Sequence, residues 1–166
     1  MALVLLIGFC SRFFRTDFNS SSLMPALQSH WFAPHVISYI CCYTLQGAAT
    51  ILAFFSLATS KQFAITYKLA YAGTAFMTIG MLLGALWAQE AWGAYWSWDP
   101  KENWAAATWI CYLLYLHMHL LPWPKRSVKV GHWMLIISFC CLQMCWWGIN
   151  YLPSAQQNSM HTYSKR

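Results

Sequence analysis

The chain has 166 residues, 59% of them hydrophobic and only 8% charged. Soluble domains carry about 25% charged residues, so the composition excludes an ordinary soluble domain and points to an integral membrane protein. The formal charge of +6 is no nucleic-acid footprint. Its basic residues form short clusters outside apolar runs, at Arg12/Arg15, Lys61/Lys68, Lys125/Arg126/Lys129 and Lys165/Arg166, as membrane flanks do.

Residues 1–10 (MALVLLIGFC) are apolar but shorter than the ~20 residues a spanning helix needs. They lack a basic leader and a cleavage site, so they read as an interfacial anchor or the remnant of a longer helix rather than a signal peptide. Residues 11–30, with the Asn19-Ser20-Ser21-Ser22 tract, read as an exposed loop. The expected division is therefore 1–30 as an N-terminal segment and 31–166 as a transmembrane domain. Four spans are predicted over 35–59, 69–89, 104–121 and 133–152. Each is close to the length that crosses ~30 Å of hydrocarbon at ~1.5 Å per residue. Pro122 and Pro124 close the third and Pro153 the fourth, while Gly73, Gly80, Gly84 and Ala85 let the second pack closely on a neighbour. The predicted fold class is all-α: a polytopic membrane bundle of about four transmembrane helices with a short apolar N-terminal segment.

Four crossings put residues 11–34, the 90–103 loop and the C-terminal tail on one side. The short loops on the other side carry Lys61, Lys68, Lys125, Arg126 and Lys129 and no acid. Although the basic counts of the two sides tie, these five lie close to span ends, so the positive-inside rule places the 90–103 loop outside.

That loop concentrates the chemistry. Six of the eleven tryptophans lie between Trp87 and Trp109, around WGAYWSWDPKENW (92–104). Trp123, Trp133, Trp146 and Trp147 suit an interfacial belt, but six indoles beside Asp99, Lys101 and Glu102 suit a surface that stacks on a large flat apolar ligand. Glu90 joins the acids at the end of the second span. These charges read either as a salt-bridge cluster that shapes the loop or as groups for polar substituents, Lys101 facing a ligand carboxylate.

His35 opens the first span, His30 precedes it, and His161 follows the fourth; all three share the tryptophan side. Two imidazoles flanking a flat aromatic surface make either a bis-axial haem site or ordinary interfacial residues. His117 lies within the third span, where an ionisable group is costly and usually functional. His119, two residues on, faces elsewhere and snorkels; His132 at the inner boundary reads as structural. The seven cysteines lie in apolar stretches without C-x-x-C spacing and read as small hydrophobes rather than zinc or thiol-exchange ligands.

WGAYWSWDPKENW resembles the WWD signature of the cytochrome c assembly proteins that handle haem, in their CcsA/ResC branch. SHWFAPHV resembles the segment with the external histidine (His35). YLLYLH resembles the segment with a transmembrane haem-ligand histidine (His117). GINYLPSAQQNSMHTY resembles the segment with the second external histidine (His161). The resemblance covers about residues 24–164. It implies that His35, His161 and the loop hold haem b as bound substrate, with Trp92, Gly93, Trp96, Trp98, Asp99, Lys101 and Glu102 as contact residues and the iron on histidine. It implies presentation of haem to apocytochrome c, whose C-x-x-C-H thiols add to the vinyl groups, as a haem lyase or synthetase subunit; no catalytic residue is assigned. It implies a CcsB/ResB-like membrane subunit that completes an intramembrane site with His117. The implied location is the bacterial cytoplasmic membrane, with loop and tail outside. Family members usually have further N-terminal helices, of which residues 1–10 would be all that is present. Two competing readings are a haem exporter or chaperone without ligation, and a membrane b-type cytochrome. The last predicts paired histidines in facing helices, which this sequence lacks.

Overall fold

The computed structural model describes residues 25–59, 61, 63–120 and 126–147. Among them a short 3-10 turn (Pro25–Gln28) precedes α1 (Phe32–Thr59), α2 (Ala64–Trp92), α3 (Pro100–Leu120) and α4 (Arg126–Trp146), with no strand. The expected all-α membrane bundle is borne out. Helix α1, helix α2 and Val128–Trp146 of α4 are each long and apolar enough to cross a membrane. Helix α3 is 21 residues long, as α4 is, but it opens on Pro-Lys-Glu-Asn and closes with His117 and His119 in its last turn. The apolar run 1–10, residues 11–24, the prolines 122, 124 and 153, and His161 lie outside the described residues.

All four helices begin ahead of the predicted spans, and α2 also runs past its predicted end, whereas α4 ends at Trp146, before the predicted 152. Helix α1 begins at Phe32, not residue 35: Ser29 Oγ accepts the Trp31 N–H (3.2 Å) and the Ser29 carbonyl accepts the Phe32 N–H (3.2 Å). Pro34 sits in the first turn, where no intrahelical donor is needed. Helix α2 runs on to Trp92 and stops at Gly93, whose left-handed backbone (φ 79°) lets its N–H donate to the Gln89 carbonyl (3.0 Å). At 28 residues α1 is about 42 Å long, so it reaches beyond the ~30 Å hydrocarbon layer into the interfaces.

The helices close a ring in which α1 packs on α2 and α4, and α3 packs on α2 and α4. The buried face of α1 is small and polar: Ala33, Ser38, Cys42, Gln46, Ala49, Thr50, Ala53 and Ser56. Large apolar side chains such as Ile51, Phe55, Leu82, Ile110 and Ile137 point outward, where lipid solvates them. Small interior residues let backbones approach, and polar ones join the helices. Tyr43 donates to the Leu142 carbonyl (2.8 Å), tying α1 to α4, and Trp109 Nε1 donates to Thr78 Oγ1 (2.9 Å), tying α3 to α2. The six described cysteines are free thiols, with Cys42 in the core.

The α1–α2 seam turns on Gln46. Its Nε2 donates to the Ala70 carbonyl (3.3 Å) and to Thr74 Oγ1 (3.2 Å). A Cβ at Gly73 would stand 2.8 Å from the Gln46 side chain. Gly73→Ala must therefore displace Gln46 from both bonds, an expected loss of about 1–2 kcal/mol. Unfolding in mixed micelles checks this, and in a double-mutant cycle the added Gln46→Ala should recover most of the loss.

Candidate functional site

His35 lies one turn into α1, half-buried against α2. Its Nδ1–H donates to the Gly80 carbonyl (2.8 Å), and its ring stacks on Trp87 (5.6 Å between centroids, 30° between planes) and meets the edge of Tyr39 (4.9 Å). Trp87 in turn packs on Phe32 (5.4 Å) and edge-on against Trp92 (4.8 Å), the last residue of α2. A chain of ring contacts thus leads from the imidazole to the start of the tryptophan loop. The same bundle end is tied by Ser29 Oγ, which donates to a Glu90 carboxylate oxygen (2.6 Å). Glu90 therefore pins the turn before α1 to the end of α2.

Residues 93–99 form the loop. Trp98 is 71% exposed and holds a left-handed backbone (φ 57°), rare for a bulky residue. Its carbonyl accepts a bond from Asn103 Nδ2 (2.9 Å). Trp96 stands edge-on to Trp98 (5.9 Å, 87°), and its buried Nε1–H meets no acceptor among the described residues. Gly93 is exposed with open space around it.

The loop's acids do more than form a charge cluster. Asp99 is buried, and its Oδ1 accepts the Lys101 N–H (2.8 Å); Glu102 Oε2 reaches back to the N–H groups of Asp99 (3.2 Å) and Ser97 (2.8 Å). This is a reciprocal capping box with Pro100 in the first helical position. It starts α3 four residues before the predicted Trp104. Asp-Pro-Lys-Glu was the signal for it in the sequence. Lys101 precedes the predicted third span and is half-buried; burial pulls its pKa below the usual lysine value, and the nearby Asp99 carboxylate opposes that shift.

The other histidines scatter. His30 is exposed on the turn before α1. His117 lies about 26 Å along α3 from Pro100, in the last turn and exposed on the outside of the bundle, its Nδ1–H donating to the Leu113 carbonyl (2.7 Å). His119 stacks on Tyr67 (4.8 Å, 23°) and packs on Tyr115 (4.8 Å), so aromatic partners on α2 and α3 hold it at the seam. His132 lies in the second turn of α4. His35 and the loop therefore share one end of the bundle, while His117, His119 and His132 lie at or near the other.

Sequence reading missed Trp87 as a site residue and took Gly80 and Gly84 only as packing glycines. Their 80-84-87 spacing, which sets them on one face of α2, was the available signal.

A family model described as "Cytochrome C assembly protein" matches residues 1–155. The chain belongs to that family. Among curated relatives named "Cytochrome c biogenesis protein CcsA", the protein from Chlamydomonas reinhardtii is 34% identical over 161 residues, 87% of this chain and 44% of the relative. Those from Cuscuta exaltata and a Prochlorococcus marinus strain are 34% and 30% identical, with 86% and 90% of this chain matched to 59% and 61% of theirs. The chain thus spans about half the length of these cytochrome c assembly relatives. The resemblance of the tryptophan segment to this family agrees with the match.

Proposed function

We propose that the chain binds haem b at the tryptophan-loop end of the bundle and presents it for covalent attachment to a C-x-x-C-H apocytochrome c. The observation that carries this reading is His35: an imidazole whose Nδ1–H is engaged by the Gly80 carbonyl, connected by a chain of ring contacts to an exposed tryptophan loop. Iron-ligating histidines commonly have their second nitrogen held by a carbonyl in this way. The relatives' name, cytochrome c biogenesis protein, supports a haem cargo.

The donor set fits that cargo. His35 offers Nε2 for one axial position, and His161 is the proposed second ligand. Trp92, Trp96 and Trp98 offer apolar faces to the porphyrin. Lys101 and the unsatisfied Trp96 Nε1–H suit its carboxylate tails. Asp99 and Glu102 serve by capping α3 and shaping the loop. The bound group supplies electrophilic vinyl carbons, and each thioether forms by addition of an apocytochrome S–H across one vinyl. This chain's part is to hold and orient the cargo with an edge open to the incoming peptide. The basic residues Lys61/Lys68 and Lys125/Arg126/Lys129, between the first and second and the third and fourth helices or in their opening turns, support placing the loop on the outer side, with the bacterial cytoplasmic membrane as the proposed location.

His117 supports a second, intramembrane site. It is exposed on the bundle surface, so a histidine of a CcsB/ResB-like subunit docking there could complete the iron's coordination. The chain is purified with and without such a subunit, and a co-expressed C-x-x-C-H cytochrome is assayed by pyridine haemochrome. Covalent haem should require both polypeptides. Haem on the chain without any covalent product in the pair would favour the chaperone or exporter reading. The partner should raise haem per chain about twofold, as ligation by two separate sites requires, and His117→Ala should abolish that gain while sparing the outer site. An isolated chain that already holds two haems, unchanged by His117→Ala, defeats the intramembrane site.

A further inference from the structure

Three residues of α2 at spacing 80-84-87 surround the His35 ring, each in a different way. The Gly80 carbonyl takes the Nδ1 proton (2.8 Å). Gly84 leaves the space the ring occupies: a Cβ there would stand 2.7 Å from His35 Cε1 and Nδ1, closer than real contacts allow. Trp87, 95% buried, stacks on the ring (5.6 Å between centroids, 30° between planes). A carbonyl only accepts hydrogen bonds, so the proton of the neutral ring is on Nδ1 and the lone pair on Nε2.

We infer that Gly80, Gly84 and Trp87 form a built cradle that fixes His35 as an Nδ1-protonated imidazole, making Nε2 the iron-ligating atom and Trp87 a positioning residue for it. The inference rests on the proposed role of His35 and deepens it. A histidine free to rotate about χ1 and χ2 offers either nitrogen in many directions and must be ordered when the iron binds. Here that ordering is done in advance by a neighbouring helix. The donor bond to a carbonyl also raises the basicity of Nε2, and losing such outer contacts typically costs ten- to a hundredfold in metal affinity. The cradle is specific in its residue types. Any side chain at position 84 collides with the ring, and a small side chain at 87 removes the wall that stops it swinging away from Gly80. Gly47 supplies the contrast on α1: a Cβ there meets only Phe139, at an ordinary 3.6 Å.

The test uses the full chain, 15N-labelled at histidine, in micelles, first without haem. The His35 resonances, assigned by their loss in His35→Ala, should report a proton on Nδ1 and an unprotonated Nε2 near neutral pH. Trp87→Phe, which keeps a flat wall, should preserve this pattern; Trp87→Ala and Gly84→Ala should collapse it to tautomer averaging, and Gly47→Ala should not. Haem titration then reads the consequence. Trp87→Ala and Gly84→Ala should bind about ten- to a hundredfold more weakly and lose the low-spin bis-imidazole spectrum, and added imidazole should restore that spectrum. Trp87→Phe should stay within about threefold of the unaltered chain, well short of the loss from a missing outer contact. A proton on Nε2 in the haem-free chain overturns the inference. So does an unchanged tautomer and affinity in Trp87→Ala, whatever the fate of Gly84→Ala. If the tautomer pattern is as stated but His35→Ala binds haem as tightly as the unaltered chain, the cradle orients a histidine that is not a ligand. The proposed function of His35 then fails separately.

Discussion

His35→Ala should strip haem from the purified chain by about tenfold or more, the loss expected when a bis-imidazole site loses one ligand, and exogenous imidazole should return part of it. The rescue is the informative half. A small imidazole fits the hole the substitution leaves and fills the vacant iron position, whereas it does nothing for a chain whose fold has failed. His161→Ala should behave in the same way, because each axial position is needed to hold the iron low-spin. His30→Ala should retain its haem. His30 is exposed on the turn before α1, while His35 is held by Gly80 and Trp87. Full haem content in His35→Ala/His161→Ala would sink the outer site, and loss in His30→Ala alone would move it to the turn. Visible spectra and haem-to-protein ratios at matched membrane levels decide among these outcomes.

How much of this was legible in the sequence depends on what each residue's role requires. The four helices were legible because lipid-facing helices need long apolar runs, and three of them satisfy length and hydropathy on their own. Their ends were not, because apolarity does not mark where capping begins. Asp99 to Glu102 read as a charge cluster when the same letters encode a capping box, which moved α3 forward to Pro100. His35 and the tryptophan loop fell on one side by counting crossings, and the helices agree. The cradle was not legible, since Trp87 sits in a tryptophan-rich stretch and its contact with His35 joins residues 52 positions apart. His117 was expected well inside the third span. Helix α3 ends at Leu120, one residue before the predicted span end, so His117 stands in the last turn, exposed on the outside of the bundle.

Trp98 is the loop residue at which a loss of haem is expected to separate most sharply from a loss of stability. Its left-handed backbone costs an L-residue with a large side chain roughly 1–2 kcal/mol, and its indole is 71% exposed, so the folded chain recovers little of that cost by burying it. A strained, exposed aromatic residue fits one selected for what it touches outside the fold. Trp98→Gly relieves the strain and should leave stability unchanged or raise it by up to about 1 kcal/mol after glycine's own entropic penalty, while haem per molecule falls severalfold. Trp98→Ala keeps the strain and loses the indole, so its haem falls without the gain in stability. Asp99→Ala gives the opposite signature. It removes the N-cap of α3, with an expected loss of about 1 kcal/mol, and its haem should fall together with stability as the loop loses its anchor. Unfolding in mixed micelles beside the haem-to-protein ratio resolves the three variants. If Trp98→Gly instead disappears from the membrane while each surviving molecule keeps its haem, the indole holds the loop rather than the cargo.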